Sequence, residues 1–236
     1  MKKNIVGAIM GLLLGVFSGY AVAAKPVMGV AEFDNTSGAA WWSGGVGWDL
    51  SDMLTNELAN TGDFQMVERS TLEPVLREQD LSAGGRVTQG TGAAIGQMTG
   101  AKYLVMGTVS AYEQDVTDTG GGISFGGISI GGGKDEAYIA VDLRVVDTTT
   151  SEIAYTRTVE ARTGGFKVRL GAWKSGFGGS LKQQKKTPAG KAIRAVMVEI
   201  SDYLTCAMVD QDGCMADFDA KEQKRKDSLK STIKLD

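Results

Sequence analysis

The chain of 236 residues carries 28 acidic and 25 basic residues, a net charge of −3, and no histidine. This mildly acidic balance argues against nucleic acid as a partner, and the absence of histidine excludes Ser-His-Asp and Cys-His catalysis and imidazole-bound metal. No acid, base and nucleophile converge elsewhere in the sequence, so we expect neither an enzyme nor a cofactor.

Residues 1–23 have the form of a secretory signal peptide. Lys2 and Lys3 form its basic start, residues 5–17 its apolar core, and residues 21–23 a small-residue cleavage site. No cysteine follows the cleavage site, so we expect a signal that is not of the lipoprotein type. No later apolar run reaches the length of a spanning helix, so any membrane crossing is expected to use strands.

In the first half of the mature chain, apolar periodicity predicts a strand, a helix, a second strand and a second helix. The first strand covers residues 27–33, and the first helix ends before Gly62. The second strand lies within residues 63–70, and a capping box of Ser70 and Glu73 opens the second helix. The apolar faces of the two helices are Leu50, Met53, Leu54 and Leu58, and Leu72, Val75, Leu76 and Leu81.

The stretch GTGAAIG, residues 90–96, superficially resembles a dinucleotide-binding loop. Such a loop needs a strand directly before it, and LSAGGRVTQ does not have the pattern of a strand. The alternative is a loop that opens a weaker helix over residues 92–100.

The second half predicts an antiparallel meander followed by a helix that starts near Pro188. The returning strand alternates Ile139, Val141, Leu143 and Val145, and a turn at residues 148–151 precedes the last strand. The predicted fold is therefore an α+β layered domain over residues 24–205, with β-hairpin insertions at about 113–141 and 152–187. Residues 206–236 form a charged tail, with a helix from Met215 to about Leu229.

The first insertion contains the tract GGGISFGGISIGGG. A hairpin with Gly126-Gly127 as its turn places Phe125 opposite Ile128. Four apolar side chains then share one face and two serines the other: Ile123, Phe125, Ile128 and Ile130 against Ser124 and Ser129. Lipid on one side and a water-filled lumen on the other would fit this pattern, and a disordered glycine linker is the alternative.

The second insertion alternates in the same way. Its apolar residues are Phe166, Val168 and Leu170, and the intervening Lys167 and Arg169 would face a lumen. One chain supplies at most four such strands, which cannot close a barrel. If the hairpins enter lipid, they must do so in a ring of subunits.

Two further features have alternative interpretations. Three of the four tryptophans lie within residues 37–48. This segment is a loop that packs on the core, a contact between subunits, or an aromatic lining of a narrow channel. Cys206 and Cys214 are predicted to form a local disulfide in an oxidising periplasm. A two-cysteine metal site is the alternative, although no further soft ligands accompany the pair.

The ordered segments GVAEFDNTSG, MLTNEL, FQMVERSTLEPVLREQDL, TGAKYLVMGTVSAYEQDV, GGGISFGGISIGGG and IAVDLRVVDTTTSEI resemble the CsgG-like family of curli secretion channels (CsgG/HfaB-type) over most of residues 27–200. The resemblance implies outer-membrane pores ringed as nonamers, in which each subunit gives two β-hairpins to one barrel above a periplasmic α/β cage. It also implies passive outward diffusion of unfolded amyloid subunits without ATP.

The resemblance further places the pore constriction in the loop after the first strand, here residues 39–45, with Trp41, Trp42 and Ser43 as candidates. This loop is shorter than the family's, and the family's lipidation cysteine has no match. We therefore expect an outer-membrane homo-oligomer with partners among membrane lipid, unfolded secreted subunits and accessory periplasmic proteins. The alternative is a soluble periplasmic module of the same fold that binds an envelope partner without forming a pore.

Overall fold

The structure, a computed structural model, describes residues 24–114, 124–125, 128–129, 137–163 and 187–232. Its strands are β1 (Val27–Val30), β2 (Asp34–Asn35), β3 (Gln65–Met66), β4 (Tyr103–Gln114), β5 (Ser124–Phe125), β6 (Ile128–Ser129), β7 (Ala137–Asp147) and β8 (Ile153–Arg162). Its α-helices are α1 (Val46–Thr61), α2 (Leu72–Ala83), α3 (Pro188–Thr205) and α4 (Met215–Thr232), and a π-helical turn, Cys206–Asp210, follows α3.

Over these residues the chain forms one open six-stranded mixed sheet with the strand order β3-β1-β4-β7-β8, in which β2 also pairs with β4, and a separate two-stranded sheet of β5 and β6. Strand β1 is parallel to β3 and to β4, whereas β4, β7 and β8 form the predicted antiparallel meander. The mixed α and β content of the prediction is thus confirmed. Side chains alternate along β7, so that Ile139, Val141, Leu143 and Val145 are all buried as predicted.

Helix α1 packs on one face of the sheet beside α3. Its predicted apolar face is confirmed, because Leu50, Leu54 and Leu58 are completely buried in the core. The helix ends where predicted, since Gly62 adopts the left-handed conformation with φ 76° and donates its N–H to the Ala59 carbonyl.

Helix α3 begins at Pro188 as predicted, and the hydroxyl of Thr187 accepts a hydrogen bond of 3.1 Å from the Gly190 N–H. It packs against α1, β7 and β8. Its buried face includes Ile193, Val196, Met197, Ile200 and Leu204. The core therefore lies between this face of the sheet and the two helices.

Helix α2 exists, but the predicted capping box of Ser70 and Glu73 is wrong. Thr71 occupies the N-cap position without a side-chain cap. The carboxylate of Glu68 instead accepts backbone N–H bonds from Arg69, Ser70 and Thr71 at 2.7–3.1 Å. The Glu68 carboxylate thus pairs N–H groups of the segment that leads into the helix, and of these three the Ser70 N–H is the one that the predicted capping box would have paired.

The other differences concern short elements with little burial. The strand predicted within residues 63–70 is reduced to the two residues of β3, and that predicted over 27–33 ends at Val30. The weaker helix over 92–100 is wrong, because these residues form turns and irregular structure. Gly96 has a φ of 80°, which interrupts a helix, and the segment buries no side chain that could offset this.

Candidate functional site

Both insertions leave the sheet at one end of three neighbouring strands. Strand β4 ends at Gln114, which pairs with Ala137 at the start of β7. Thr163, just after β8, donates its N–H to the Ala137 carbonyl (3.0 Å), and its hydroxyl accepts the Ala137 N–H (2.9 Å). Gln114, Ala137 and Thr163 are therefore adjacent at this end of the sheet.

The tip of the first insertion has the predicted pairing. Phe125 pairs with Ile128 and Ser124 with Ser129, so the register around Gly126-Gly127 is confirmed. At the base of the insertion, Gln114 of β4 pairs with Ala137 of β7. The β4–β7 ladder and the β5–β6 ladder therefore differ in register by two residues. Seven predicted hairpin residues lie outside the described residues: Ile123, Ile130, Phe166, Val168, Leu170, Lys167 and Arg169.

A β-bulge between Val109 and Ala111 determines which side chains of β4 face the core near the base of the first insertion. One extra residue reverses the alternation of side chains beyond it. Tyr112 consequently lies opposite Ile139 and on the side of the sheet that carries the core.

Tyr112 forms an aromatic cluster with the tryptophans of the loop before α1. The rings of Trp41 and Tyr112 are edge to face at 5.4 Å, and those of Trp41 and Trp42 are 5.8 Å apart. Both tryptophans are half-buried and pack against the core, whereas Ser43 is exposed. The structure thus brings Trp41 and Trp42 to the end of the sheet from which the insertions leave.

The loop before α1 is held by local hydrogen bonds. Asn35 Oδ1 accepts from the Ser37 N–H (3.0 Å) and hydroxyl (2.6 Å), and the Trp42 N–H donates to the Ala39 carbonyl (3.0 Å). The indole Nε1 of Trp41 is buried and has no acceptor among the described residues.

Tyr112 is the member of the cluster that sequence reasoning missed. Strict alternation from Val109 puts Tyr112 on the outer face of the sheet, away from Trp41. Only the bulge brings the two rings together. The sequence feature that could have indicated its role is a large aromatic residue, Tyr112, near the end of the apolar strand β4.

A separate site, lined by charged side chains, lies between β8 and α4 around Arg157. The guanidinium of Arg157 donates to the Phe218 carbonyl and to Asp219 Oδ1 (2.5 Å), and lies 4.8 Å from the Tyr203 ring centroid. The hydrogen bond from Arg225 lowers the pKa of Glu222 to about 2, and Lys226 adds to this effect. A groove of about 510 Å³ remains between the strand and the helix.

Cys206 and Cys214 form a disulfide with a Cα–Cα distance of 6.0 Å. The bond closes the short connection between α3 and α4.

Within the described residues no group of acidic or cysteine side chains is arranged to hold a metal ion. No helix in the described part of the chain is long and apolar enough to cross a membrane.

The sequence profile of a known family matches almost the whole chain. The family is described as "Curli production assembly/transport component CsgG", and its model matches residues 16–233. The chain belongs to the CsgG family. This family membership agrees with the resemblance found in the sequence, and the family's description is that of a transport component rather than an enzyme.

Among curated relatives, the CsgG component of Salmonella typhimurium is 28% identical over 130 residues, which cover 52% of this chain and 46% of the relative. The component of Escherichia coli K12 gives the same values. The chain thus spans about half the length of the curated relatives it matches.

Solved structures with a similar chain path have low identity. The hypothetical protein CT253 from Chlamydia trachomatis is 14% identical with a TM-score of 0.46, and the match covers 79% of this chain and 99% of that one. The PelC dodecamer from Paraburkholderia phytofirmans is 12% identical with a TM-score of 0.37, covering 78% and 91%.

Proposed function

We propose that the chain is one subunit of a homo-oligomeric outer-membrane channel, through which unfolded fibre subunits of the curli type diffuse outward. Membership of the CsgG family supports the transport role, and the signal-peptide pattern of residues 1–23 supports export to the cell envelope. Each subunit would add hairpins from about residues 113–141 and 152–187 to one shared barrel.

The common origin of the two insertions is the observation that carries this proposal. The chain leaves the sheet after Gln114 and again after Thr163, and Ala137 contacts both. Two ribbons that start from adjacent strands can lie side by side, and the same arrangement in neighbouring copies would continue the ribbon around a ring. A barrel built this way has no open edge to expose in lipid.

The aromatic cluster supports a constriction just below such a barrel. Trp41 and Trp42 pack beside Tyr112, which lies close to the base of the first insertion, and exposed Ser43 follows them in the loop. A ring of these loops would narrow the lumen so that only an extended chain passes. Selection would then rest on geometry, with no energy source within the channel.

Planar-bilayer recording of the detergent-extracted oligomer tests this function. We expect the Trp41→Ala, Trp42→Ala double variant to raise the single-channel conductance and Ser43→Trp to lower it, because the first widens the constriction and the second fills it. Trp48→Ala is the matched control, because Trp48 lies at the start of α1 and should leave conductance unchanged.

Failure of the wild-type protein to form an oligomer or to conduct ions would overturn the channel. Electron microscopy of the same particles would count the subunits and test the expected ring of nine. Conductance that is unchanged in both constriction variants would give the tryptophans a packing role only.

A soluble periplasmic module that binds an envelope partner without forming a pore is the second candidate function. The exposed apolar side chains Val75 and Leu76 on α2 favour it, because they fit a protein partner whether or not a pore exists. This candidate expects a monomer in the soluble periplasmic fraction, which cell fractionation separates from a membrane-bound oligomer.

A further inference from the structure

The exposed apolar face of α2 is the first of two surfaces that fit each other. Leu72, Val75 and Leu76 have the spacing of one helical stripe. Val75 and Leu76 are 42% and 46% exposed, and Ile95 in the following loop is 65% exposed. A helix with an uncovered apolar stripe normally packs against another protein element.

Acidic residues border this stripe. Glu78 follows Val75 by three residues and Asp80 follows Leu76 by four, so each lies next to the apolar face. Neither carboxylate forms an ion pair within the described residues, whereas Glu73 is paired with Arg77. The helix as a whole has three acidic residues and one basic residue.

The groove between β8 and α4 has the opposite charge. Half-buried Phe218 contributes apolar surface to it, whereas Val159 at its floor is already buried by its own chain. Its five basic residues outnumber its three acidic ones: Arg157, Arg162, Lys221, Lys224 and Arg225 against Glu160, Glu199 and Glu222. Among the described residues, Arg162 and Lys224 form no ion pair, although Arg162 stacks over Tyr138 at 5.1 Å.

The two surfaces belong to opposite edges of the sheet. Helix α2 follows the edge strand β3, and the groove borders the other edge strand, β8. Four strand spacings, about 19 Å, separate these edges within one chain. A contact between them therefore joins two copies head to tail, and repetition of the same contact closes into a ring or continues as a filament.

We propose that α2 of one copy docks in the β8–α4 groove of the next copy. The apolar stripe packs on Phe218 and the aliphatic parts of the basic side chains, while Glu78 and Asp80 face the unpaired cations Arg162 and Lys224. This inference rests on the proposed oligomeric channel and names the periplasmic contact between its subunits.

Site-specific photo-crosslinking in the full-length oligomer tests the contact directly. A benzophenone side chain at position 76 should cross-link to residues 157–162 or 218–228, and an oligomer mixed from isotopically light and heavy chains shows that the link joins two copies. The same probe at position 77, which points away from the stripe, is the matched control and should give less of this product.

Charge reversal provides the second test. Glu78→Lys with Asp80→Lys should reduce the yield of full-size oligomer about tenfold, because attraction across the interface becomes repulsion. Arg162→Glu with Lys224→Glu should have a similar effect. The protein that carries all four substitutions should assemble again, which loss of folding alone would not produce.

The outcomes separate this docking from the proposed function. A conducting oligomer whose position-76 probe cross-links outside the groove, or to another protein, overturns the docking and leaves the channel intact. Full-size assembly of both charge-reversed variants does the same. Absence of any wild-type oligomer overturns the channel and the docking together.

Discussion

Helices α1 and α2 have similar apolar spacing, but only α1 is buried by its own chain. Leu50, Leu54 and Leu58 of α1 are inaccessible to solvent, whereas Val75 and Leu76 of α2 remain more than two-fifths exposed. Helix α1 contacts β1, β3 and α3, and α2 has no comparable contact with any other described element. The same apolar spacing thus marks a buried face in α1 and an exposed face in α2.

The difference extends to what stabilises each helix. Helix α1 is anchored by tertiary contacts, including a hydrogen bond of 3.0 Å from the buried Ser51 hydroxyl to the Val30 carbonyl. Helix α2 depends on local interactions, namely the Glu68 carboxylate before its first turn and the exposed Glu73–Arg77 ion pair. Short helices without tertiary packing are marginal, so α2 should gain stability when a partner covers it.

Matched leucine truncations should give the largest difference between the two helices. Leu54→Ala should lower the free energy of unfolding by about 2–5 kcal/mol, because it leaves a cavity in the core. Leu76→Ala should change it by no more than about 0.5 kcal/mol, because the side chain is exposed in the single chain. Thermal unfolding of the dissociated chain measures both, and equal effects would contradict the assignment of α2 as an uncovered helix.

Removal of the charge on Glu68 should have an intermediate effect that is confined to α2. Glu68→Gln weakens three backbone hydrogen bonds and should cost about 1 kcal/mol of local stability, which hydrogen exchange of the α2 amides can measure. Glu73→Gln is the control, since an exposed ion pair contributes at most about 0.5 kcal/mol. Loss of protection in α1 as well would contradict a local role.

The same residue makes α2 sensitive to acid. Burial alone would raise the pKa of Glu68, but hydrogen bonds from Thr71, Ser70 and Arg69 outweigh it and hold the pKa below its usual value of 4.5. The carboxylate therefore stabilises α2 fully above about pH 4.5, and this contribution is lost as the pH falls through the lowered pKa. Glu68→Gln should remove this part of the pH dependence.

Glu57 on α1 should give the smallest effect, and in the opposite direction. Burial, together with the negative charge of Asp202 on α3, raises the pKa of Glu57, so its ionised form is disfavoured in the folded chain. Glu57→Gln should stabilise the protein at pH 7 by at most about 0.5 kcal/mol, because solvent screens a carboxylate that is only partly buried. The advantage should disappear at acidic pH, where the wild-type carboxyl is protonated, and unfolding measured at both pH values checks this.

The regular elements were predictable because their signals are local and strong. Alternation identified β7, the i, i+3, i+4 pattern identified α1 and α3, and the Gly126-Gly127 turn set the pairing of Phe125 with Ile128. The predicted capping box and the helix over 92–100 failed because short motifs occur often without the structure they suggest. Glu68, five residues before Glu73, accepts the Ser70 N–H that the capping box would have paired with the Glu73 side chain.

What the amino-acid order determined by itself was the type and approximate extent of the long elements, the tip of the glycine hairpin and the family of the protein. The tertiary structure alone decided which apolar faces are covered, because periodicity defines a face without specifying its partner. It also decided that Tyr112 meets Trp41, since one extra residue in β4 reverses the side-chain alternation beyond it. The element that covers an apolar face and the position of a β-bulge depend on contacts between residues distant in sequence, which the local pattern does not specify.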